Sequence, residues 1–288
     1  MNQLKGKIAI ITGANQGFGL EIAKAYAAAG ADLVLCARDV QKLKTAVNEV
    51  EHIKAEGVRI LFQKVDISKK KEFDQLVAYT LKEFKRLDIL VANAGVYGPK
   101  GPIEEVNWDE WSEAIDINLK GTVLSCISVI PHMKQNKSGK IIILSGGGAT
   151  KPMPNLTSYA VSKIGLVRFA ETLALELLEF GIDVNAIAPG ALNTRLLDEI
   201  LDAGPEKVGK SFFEQSLKQK ESGGSPMTKG ASLCVFLATN ESNGISGKLI
   251  SAIWDPWERL NERRIELMGS DIYTLRRIVP EERGKNWT

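Results

Sequence analysis

The chain has 288 residues, of which 44% are hydrophobic and 25% charged, and its formal net charge is +2 at pH 7. This composition is ordinary for a globular protein, and the near-neutral charge gives no reason to expect nucleic acid or an anionic membrane surface as a partner. The three cysteines lie far apart and there are only two histidines, which argues against a disulfide framework, a metal site and a Ser-His-Asp triad. A chain of this length can bury one sizeable core.

The first residues enter a strand-like run almost at once, and no signal peptide precedes that run. No uninterrupted apolar run reaches the roughly 18 residues that a membrane-spanning helix needs. The widely spaced cysteines suit a reducing compartment. We therefore expect a cytoplasmic protein with no membrane segment.

Seven apolar runs of strand length alternate with longer segments of helical periodicity. The runs are residues 8–11, 33–37, 58–65, 89–92, 141–144, 183–188 and 249–253. The helical segments are residues 21–29, 40–55, 69–84, 108–134 and 157–180. This alternation predicts an α/β fold: one doubly wound, parallel, seven-stranded sheet with helices on both faces.

Two regions depart from that alternation. Residues 193–224 form a polar insertion between the sixth and seventh strands, which is either a lid over a substrate or a surface helical hairpin. Residues 254–288 form a C-terminal extension that contains Trp254, Trp257 and Trp287. Tryptophans in a terminal segment favour docking, either on residues 1–253 or on a neighbouring subunit.

A glycine-rich loop follows the first predicted strand and opens the first helix. Residues 12–19 read TGANQGFG. Glycines let the backbone turn tightly and approach a pyrophosphate closely, and the free amides of a helix N-terminus attract its charge. Because the loop lies between a strand and a helix, we interpret it as a phosphate-binding loop; the alternative is a glycine turn with no ligand.

Tyr159 and Lys163 lie four residues apart in a predicted helix and share one face. A tyrosine loses its proton near pH ~10, so it is a poor base at neutral pH unless positive charge stabilises the phenolate. Lys163 can supply that charge. Upstream, Gly146, Gly147 and Gly148 leave a wall without side chains.

These motifs together resemble the short-chain dehydrogenase/reductase family, over about residues 7–253. The matching residues, in family order, are the TGxxxGxG loop at 12–19, Asp66-Ile67, Asn93-Ala94-Gly95, Asn118, Tyr159 with Lys163, and Pro189-Gly190 with Thr194. The resemblance implies a single Rossmann-like domain and an NAD(P)-dependent oxidoreductase that interconverts a secondary alcohol and a carbonyl. The long helices at 108–134 and 157–180 resemble those that pair subunits in the family, so a homodimer or homotetramer is expected.

The resemblance also implies which residues bind the cofactor. They are Gly13, Asn15, Gln16, Gly17, Phe18, Gly19, Arg38, Asp66, Ile67, Asn93, Ala94, Gly95, Tyr159, Lys163, Pro189, Gly190 and Thr194. NAD-preferring folds place an acidic residue after the second strand, where this chain has Ala37 and then Arg38, whose guanidinium can pair with a 2′-phosphate. NADP is therefore favoured and NAD stays open, because Gln16 stands where many NADP-preferring relatives carry a second basic residue. The alternative for Arg38 is a solvated strand-end charge.

The resemblance gives three residues catalytic roles. Tyr159 passes a proton to or from the substrate oxygen, Lys163 holds the nicotinamide ribose and lowers the tyrosine pKa, and Asn118 positions a water in the proton relay. The family's usual serine, thirteen residues before the tyrosine, is replaced by Gly146. Ser145 faces the opposite way as the chain leaves its strand, so Thr150, Asn155 or the substrate's own hydroxyl would have to replace that donor.

Two other functions stay open at this point. An epimerase or dehydratase could recycle the hydride on a bound nucleotide, which the glycine at 146 and the tryptophan-bearing tail favour. A nucleotide-binding sensor or scaffold could have lost catalysis together with the serine. For the substrate, a glycine-lined wall and a polar lid favour a small hydroxylated compound such as a sugar derivative.

Overall fold

The computed structural model describes residues 2–287 of the chain. Its centre is a seven-stranded sheet in which every neighbouring pair is parallel, in the order β3-β2-β1-β4-β5-β6-β7. The strands are β1 Ile8–Thr12, β2 Asp32–Ala37, β3 Ile60–Lys64, β4 Ile89–Ala92, β5 Gly139–Leu144, β6 Ile182–Ala188 and β7 Leu249–Ser251. The predicted fold class and strand number are confirmed.

Helices cover both faces of this sheet. They are α1 Gly17–Ala28, α2 Val40–Glu51, α3 Lys70–Phe84, α4 Trp108–Ile115, α5 Gly121–Asn136, α6 Thr157–Leu177, α7 Arg195–Val208, α8 Lys210–Ser222, α9 Met227–Ala238 and α10 Arg264–Leu267. Helices α1, α2 and α9 pack on one face, where Ile11 is buried, and α3, α5 and α6 pack on the other, where Ile10 is buried. Successive residues of β1 therefore pack into the two hydrophobic cores on opposite faces of the sheet. Because both faces are buried, such a strand is made of apolar residues almost throughout.

Several predicted boundaries are wrong. The third strand begins at Ile60 and not at 58, the seventh ends at Ser251 and not at 253, and the first helix begins at Gly17 and not at 21. The predicted helix 108–134 is α4, a π-helical segment Asp116–Lys120, and α5. A π-helical turn inserted in an α-helix often marks a functional site.

The continuous helical stretch Trp108–Asn136 is long and apolar enough to cross a membrane by length and composition, with 44% of its most apolar window buried. This stretch is not an uninterrupted apolar run, because polar residues are interspersed along it. Cys126, Val129 and Met133 of α5 are buried against the sheet. The core helix of a globular protein passes the same test.

The insertion at 193–224 folds into α7 and α8, which pack on each other. Gly204 has φ 77° and ψ 166°, so α7 is kinked at the Gly204-Pro205 step. Gly209, with φ 84°, separates the two helices, and Gly223 with φ 85° ends α8. Glycine adopts these positive φ values without steric cost, which lets the insertion fold back on itself.

The C-terminal segment packs on the domain. Trp257 is buried against Phe236, with ring centres 5.9 Å apart, and its indole Nε1 donates to the Ala252 carbonyl oxygen at 3.1 Å. The Leu249 amide of β7 donates to the Tyr273 carbonyl oxygen at 2.8 Å. The tail therefore covers the outer edge of the last strand. By contrast, Trp254 and Trp287 are 85% and 80% exposed.

Candidate active site

A cavity of about 870 Å³ opens at the carboxyl ends of the strands, where open α/β sheets bind ligands. Every residue that the sequence predicts for cofactor binding lines it. They are Gly13, Asn15, Gln16, Gly17, Phe18, Gly19, Arg38, Asp66, Ile67, Asn93, Ala94, Gly95, Tyr159, Lys163, Pro189, Gly190 and Thr194. Asn118 is not part of the lining.

The glycine-rich loop brings its backbone into the cavity. Gly13 and Gly17 have φ values of 65° and 55°, a conformation that glycine adopts freely. A Cβ on Gly19 would lie 2.3 Å from the Gly13 carbonyl oxygen, so no side chain fits there. Helix α1 starts at Gly17 without a side-chain cap from Gln16. Its first amides are therefore available to an anion, and the loop fits a dinucleotide pyrophosphate.

Asn93 fixes this loop from the neighbouring strand. Its Nδ2 donates to the carbonyl oxygens of Thr12 and Gly13 at 2.9 and 3.3 Å. The Thr12 hydroxyl oxygen accepts from the amides of Asn93 and Ala94, both at 3.0 Å. These four bonds join the ends of β1 and β4, so the Asn93 amide group has a supporting position in the structure.

Basic side chains line the cavity near the end of β2. Arg38 is half exposed, and its Nη1 lies 3.8 Å from Glu113 Oε1. Lys42 of α2 and Arg195 of α7 line the same cavity. Burial, followed by the positive charge of Arg38, lowers the pKa of Arg195, so the two guanidinium groups lie close enough to repel each other. An anion between them would relieve that repulsion.

Asp66 and Ile67 follow β3 and line the same end of the cavity. The Asp66 carboxylate accepts from the Ser68 amide at 3.0 Å and from the Ser68 hydroxyl at 2.8 Å. The Asp66 amide donates to Glu72 Oε2 at 2.8 Å. These bonds fix the turn into α3 and hold the carboxylate in place.

Tyr159 and Lys163 lie on one face of α6. The lysine Nζ is 5.5 Å from the centre of the Tyr159 ring and donates to the Leu144 carbonyl oxygen at 2.8 Å. The ring of Tyr97 packs on that of Tyr159, with ring centres 4.6 Å apart. Within residues 2–287, no protein group hydrogen-bonds the Tyr159 hydroxyl, and this residue lines the cavity.

The electrostatics of this pair differ from the expectation that Lys163 lowers the tyrosine pKa. Burial, and secondarily Tyr97, raises the pKa of Tyr159 well above 10, and burial lowers the pKa of Lys163 from 10.5 to about 8. Among the protein groups alone, desolvation outweighs the attraction between phenolate and ammonium. The arrangement favours a neutral phenol, the form that can donate a proton.

Asn118 lies in the π-helical segment and is fully buried. Its Oδ1 accepts from the Val96 amide at 2.8 Å, and its Nδ2 donates to the Val96 carbonyl oxygen at 2.8 Å and to Ser162 Oγ at 3.0 Å. The side chain therefore ties the loop after β4 to helix α6, which carries Tyr159. Its predicted contact with a water stays a prediction.

Gly146 lies directly beside the Tyr159 hydroxyl. Its backbone is extended, and a Cβ built on it would lie 2.6 Å from Tyr159 Oη. Ser145 is buried and donates to the Lys163 carbonyl oxygen at 3.3 Å. Of the two loop residues considered as replacement donors, Thr150 lines the cavity and Asn155 does not.

The sequence did not predict the apolar residues that pack around Tyr159. Ile200 and Val208 of α7 form a buried cluster with Leu156 and Tyr159. Tyr97, Met153 and Phe212 pack against this cluster and also line the cavity. The only available signal was apolar residues at helical spacing within the polar insertion, which any packed helix pair would show.

Comparisons with known proteins identify the family to which the chain belongs. The family model described as short chain dehydrogenase matches residues 7–204. The (2S)-[(R)-hydroxy(phenyl)methyl]succinyl-CoA dehydrogenase subunit BbsD of Thauera aromatica is 34% identical over 251 residues, which cover 86% of this chain and 95% of that protein. Dehydrogenase/reductase SDR family member 4 of Sus scrofa is 30% identical over 247 residues, 86% of each chain.

Among solved structures, levodione reductase is similar with a TM-score of 0.79 and 26% identity, over 86% of this chain and 96% of that one. The family model alone covers more than half of the chain. The protein described here is therefore a member of the short-chain dehydrogenase/reductase family, oxidoreductases that use NAD or NADP.

Proposed function

We propose that this protein is an NADP-dependent oxidoreductase that interconverts a secondary alcohol and a carbonyl compound, with Tyr159 as general acid and base. The observation that carries the proposal is the position of the Tyr159 hydroxyl. It belongs to a buried side chain that lines the cavity, and it has no hydrogen-bond partner among the described residues. A substrate oxygen can take the partner position that the protein leaves open.

The residues that would hold the cofactor fit a dinucleotide. The glycine loop leaves room for a pyrophosphate, and Lys163 and Thr194 line the part of the cavity that a nicotinamide would share with Tyr159. The nicotinamide, when bound, supplies or accepts the hydride. Arg38 and Arg195 provide positive charge where an NAD-preferring site would provide a carboxylate, which favours NADP over NAD.

The chain's own residues handle the proton. During reduction, neutral Tyr159 donates its hydroxyl proton to the carbonyl oxygen as negative charge develops there. During oxidation, its phenolate takes the proton back, and the ammonium of Lys163, 5.5 Å from the ring centre, stabilises that phenolate. Asn118 acts through position, because its bonds to Val96 and Ser162 hold the loop after β4 against the catalytic helix.

The test combines substrate-dependent NADPH consumption with the Tyr159→Phe variant. We expect a loss of about 10²- to 10⁴-fold in kcat, the usual contribution of a positioned acid or base, with NADPH affinity within twofold of wild type. Ser158→Ala is a matched control, since its hydroxyl bonds the Tyr97 carbonyl oxygen at 3.3 Å and does not line the cavity. Product formation without stoichiometric NADPH consumption would instead support an epimerase or dehydratase.

We also propose that the protein is a cytoplasmic homo-oligomer. Apolar side chains on α5 and α6 support the pairing of these helices between subunits. Ile127, Val161 and Ile164 are 48%, 48% and 46% exposed. Light scattering should give a dimer or tetramer mass, and Val161→Glu should shift it toward the monomer; a wild-type monomer would contradict the proposal.

A further inference from the structure

The cavity extends beyond Tyr159 into a part that the predicted cofactor residues do not enclose. We define this part as the substrate chamber, formed by Tyr97, Met153, Tyr159, Ile200 and Phe212. We propose that the chamber binds a carbonyl compound that carries a branched or aromatic apolar group. This inference rests on the proposed oxidoreductase function and names its substrate class.

The lid builds the chamber by packing apolar side chains next to the catalytic tyrosine. Ile200 of α7 is fully buried in a cluster with Tyr159, and Phe212 of α8 packs against that cluster. Tyr97 and Met153, which come from the loops after β4 and β5, pack against the same cluster. Three chain segments that are far apart in sequence therefore place apolar groups around one hydroxyl.

Two polar side chains of α8 that line the cavity, Ser216 and Gln219, already have partners within the protein. The Ser216 hydroxyl donates to the Phe212 carbonyl oxygen at 2.8 Å. Gln219 Nε2 donates to the Leu192 carbonyl oxygen at 3.2 Å and to Asn193 Oδ1 at 3.3 Å. These donors are not free to pair with substrate hydroxyls without breaking bonds that hold the lid together.

This arrangement opposes the hydroxylated substrate expected from the sequence. A hydroxyl buried without a partner lowers affinity about 5- to 150-fold, which is 1–3 kcal/mol converted to a ratio. Each buried CH₂ raises affinity about fourfold. Because most of the chamber wall is apolar and the donors of Ser216 and Gln219 are already in use, the chamber should bind an apolar carbonyl compound more tightly than a sugar-like one. The glycines at 146 and 147 widen the wall without adding polar side chains.

The test compares ketones that share a four-carbon skeleton. Butanone, benzylacetone, which adds a phenyl group, and erythrulose, which adds hydroxyls, are each given to the full-length enzyme with NADPH. We expect kcat/KM for benzylacetone to exceed that for erythrulose by at least 10²-fold and that for butanone by at least tenfold. Saturation-transfer NMR should also show the phenyl protons of benzylacetone in contact with the NADP-bound protein.

Two phenylalanines of α8 provide matched variants. Phe212 packs on the chamber cluster and lines the cavity, whereas Phe213 packs on the cluster without lining the cavity. Phe212→Ala should lower the benzylacetone-to-butanone ratio at least fivefold, and Phe213→Ala should leave that ratio within twofold. Both variants remove a packed ring from the lid. If lid stability alone were affected, the benzylacetone-to-butanone ratio would therefore change by the same factor in both variants.

The possible failures are distinguishable. Equal or better turnover of erythrulose would overturn the apolar substrate class and leave the oxidoreductase function standing. An unchanged ratio in Phe212→Ala would show that the lid does not contact the apolar group, and would overturn the chamber. If no ketone consumes NADPH although NADP binds, both the proposed function and this inference are wrong.

Discussion

A β-carbon at position 146 should disturb Tyr159 rather than improve catalysis. Gly146 replaces the family's serine, so Gly146→Ser would at first sight restore a missing substrate-binding hydroxyl. The structure predicts the opposite, because a Cβ at this position would lie 2.6 Å from Tyr159 Oη, whereas ordinary contacts begin near 3.4 Å. The tyrosine or the backbone must therefore move by roughly 0.8 Å, the difference between these two distances.

The size of the effect follows from this displacement. Tyr97 packs on the Tyr159 ring and the side chain is only 9% exposed, so the ring has little room to move. Overpacking of this kind costs about 1–3 kcal/mol of unfolding free energy. A catalytic group misplaced by about 1 Å loses about 10²-fold in rate. Both Gly146→Ala and Gly146→Ser should show these losses.

A double-mutant cycle measures the clash directly. In Tyr159→Phe the nearest ring atom, at the Cζ position, lies 3.5 Å from the added Cβ, an ordinary contact. Gly146→Ala should therefore cost about 1–3 kcal/mol with tyrosine at 159 and less than about 0.5 kcal/mol with phenylalanine, as read from urea unfolding. Equal costs in both backgrounds would refute the reasoning. A Gly146→Ser enzyme more active than wild type would refute it as well.

Three further predictions concern charge and packing. In the folded state the pKa of Lys163 is lowered from 10.5 to about 8, so between pH 8 and 10.5 the unfolded state binds more protons than the folded state. The free energy of unfolding should therefore rise with pH across this window, by up to about 3 kcal/mol relative to Lys163→Met. Urea unfolding at each pH measures this difference. A pH-independent difference would count against this. Arg195→Ala should weaken NADP binding about tenfold and NAD binding less than twofold, as measured by calorimetry. Lys220→Ala removes a lid charge outside the cavity lining and should change neither affinity. Equal weakening for both cofactors would contradict a contact between Arg195 and the 2′-phosphate. Trp257→Ala, which removes a buried ring, should lower the unfolding free energy by about 3–5 kcal/mol. Trp254→Ala, which removes an exposed ring, should lower it by less than about 0.5 kcal/mol. Similar losses in both variants would show that the packing of the tail does not depend on the buried ring.

The sheet could be predicted because parallel strands buried on both faces form continuous apolar runs. All five residues of β1 and all four of β4 are buried. The strand ends could not be predicted, since an apolar run can continue past the last residue that is paired in the sheet. In the seventh run, Ala252 and Ile253 follow the strand in a turn, although Ala252 is fully buried.

Much of the cavity lining could be predicted because most of the motifs follow a strand, and the carboxyl ends of parallel strands meet at one edge. The surroundings of Tyr159 could not. Ile200 and Phe212 reach it only through the fold of the lid, and no motif marks them. The direction of the Tyr159 pKa shift depends on burial, which four-residue spacing to Lys163 does not reveal.

The backbone hydrogen bond from Leu249 to Tyr273 also affects how the chain folds during its synthesis. Within residues 2–287, the Leu249 amide at the outer edge of the last strand donates to residue 273, whereas the Ser251 amide donates to Asp255 Oδ2 at 2.6 Å. Glu171 of α6 accepts from the Leu275 amide at 2.6 Å, across 104 positions of the chain. A nascent chain that ends before residue 273 would leave the Leu249 amide at this edge without its backbone partner, and an unpaired strand edge can pair with other chains. Completion of the sheet must therefore wait until synthesis is nearly finished. A stop codon shortly before residue 273 should yield protein that aggregates during expression, even though every strand is present.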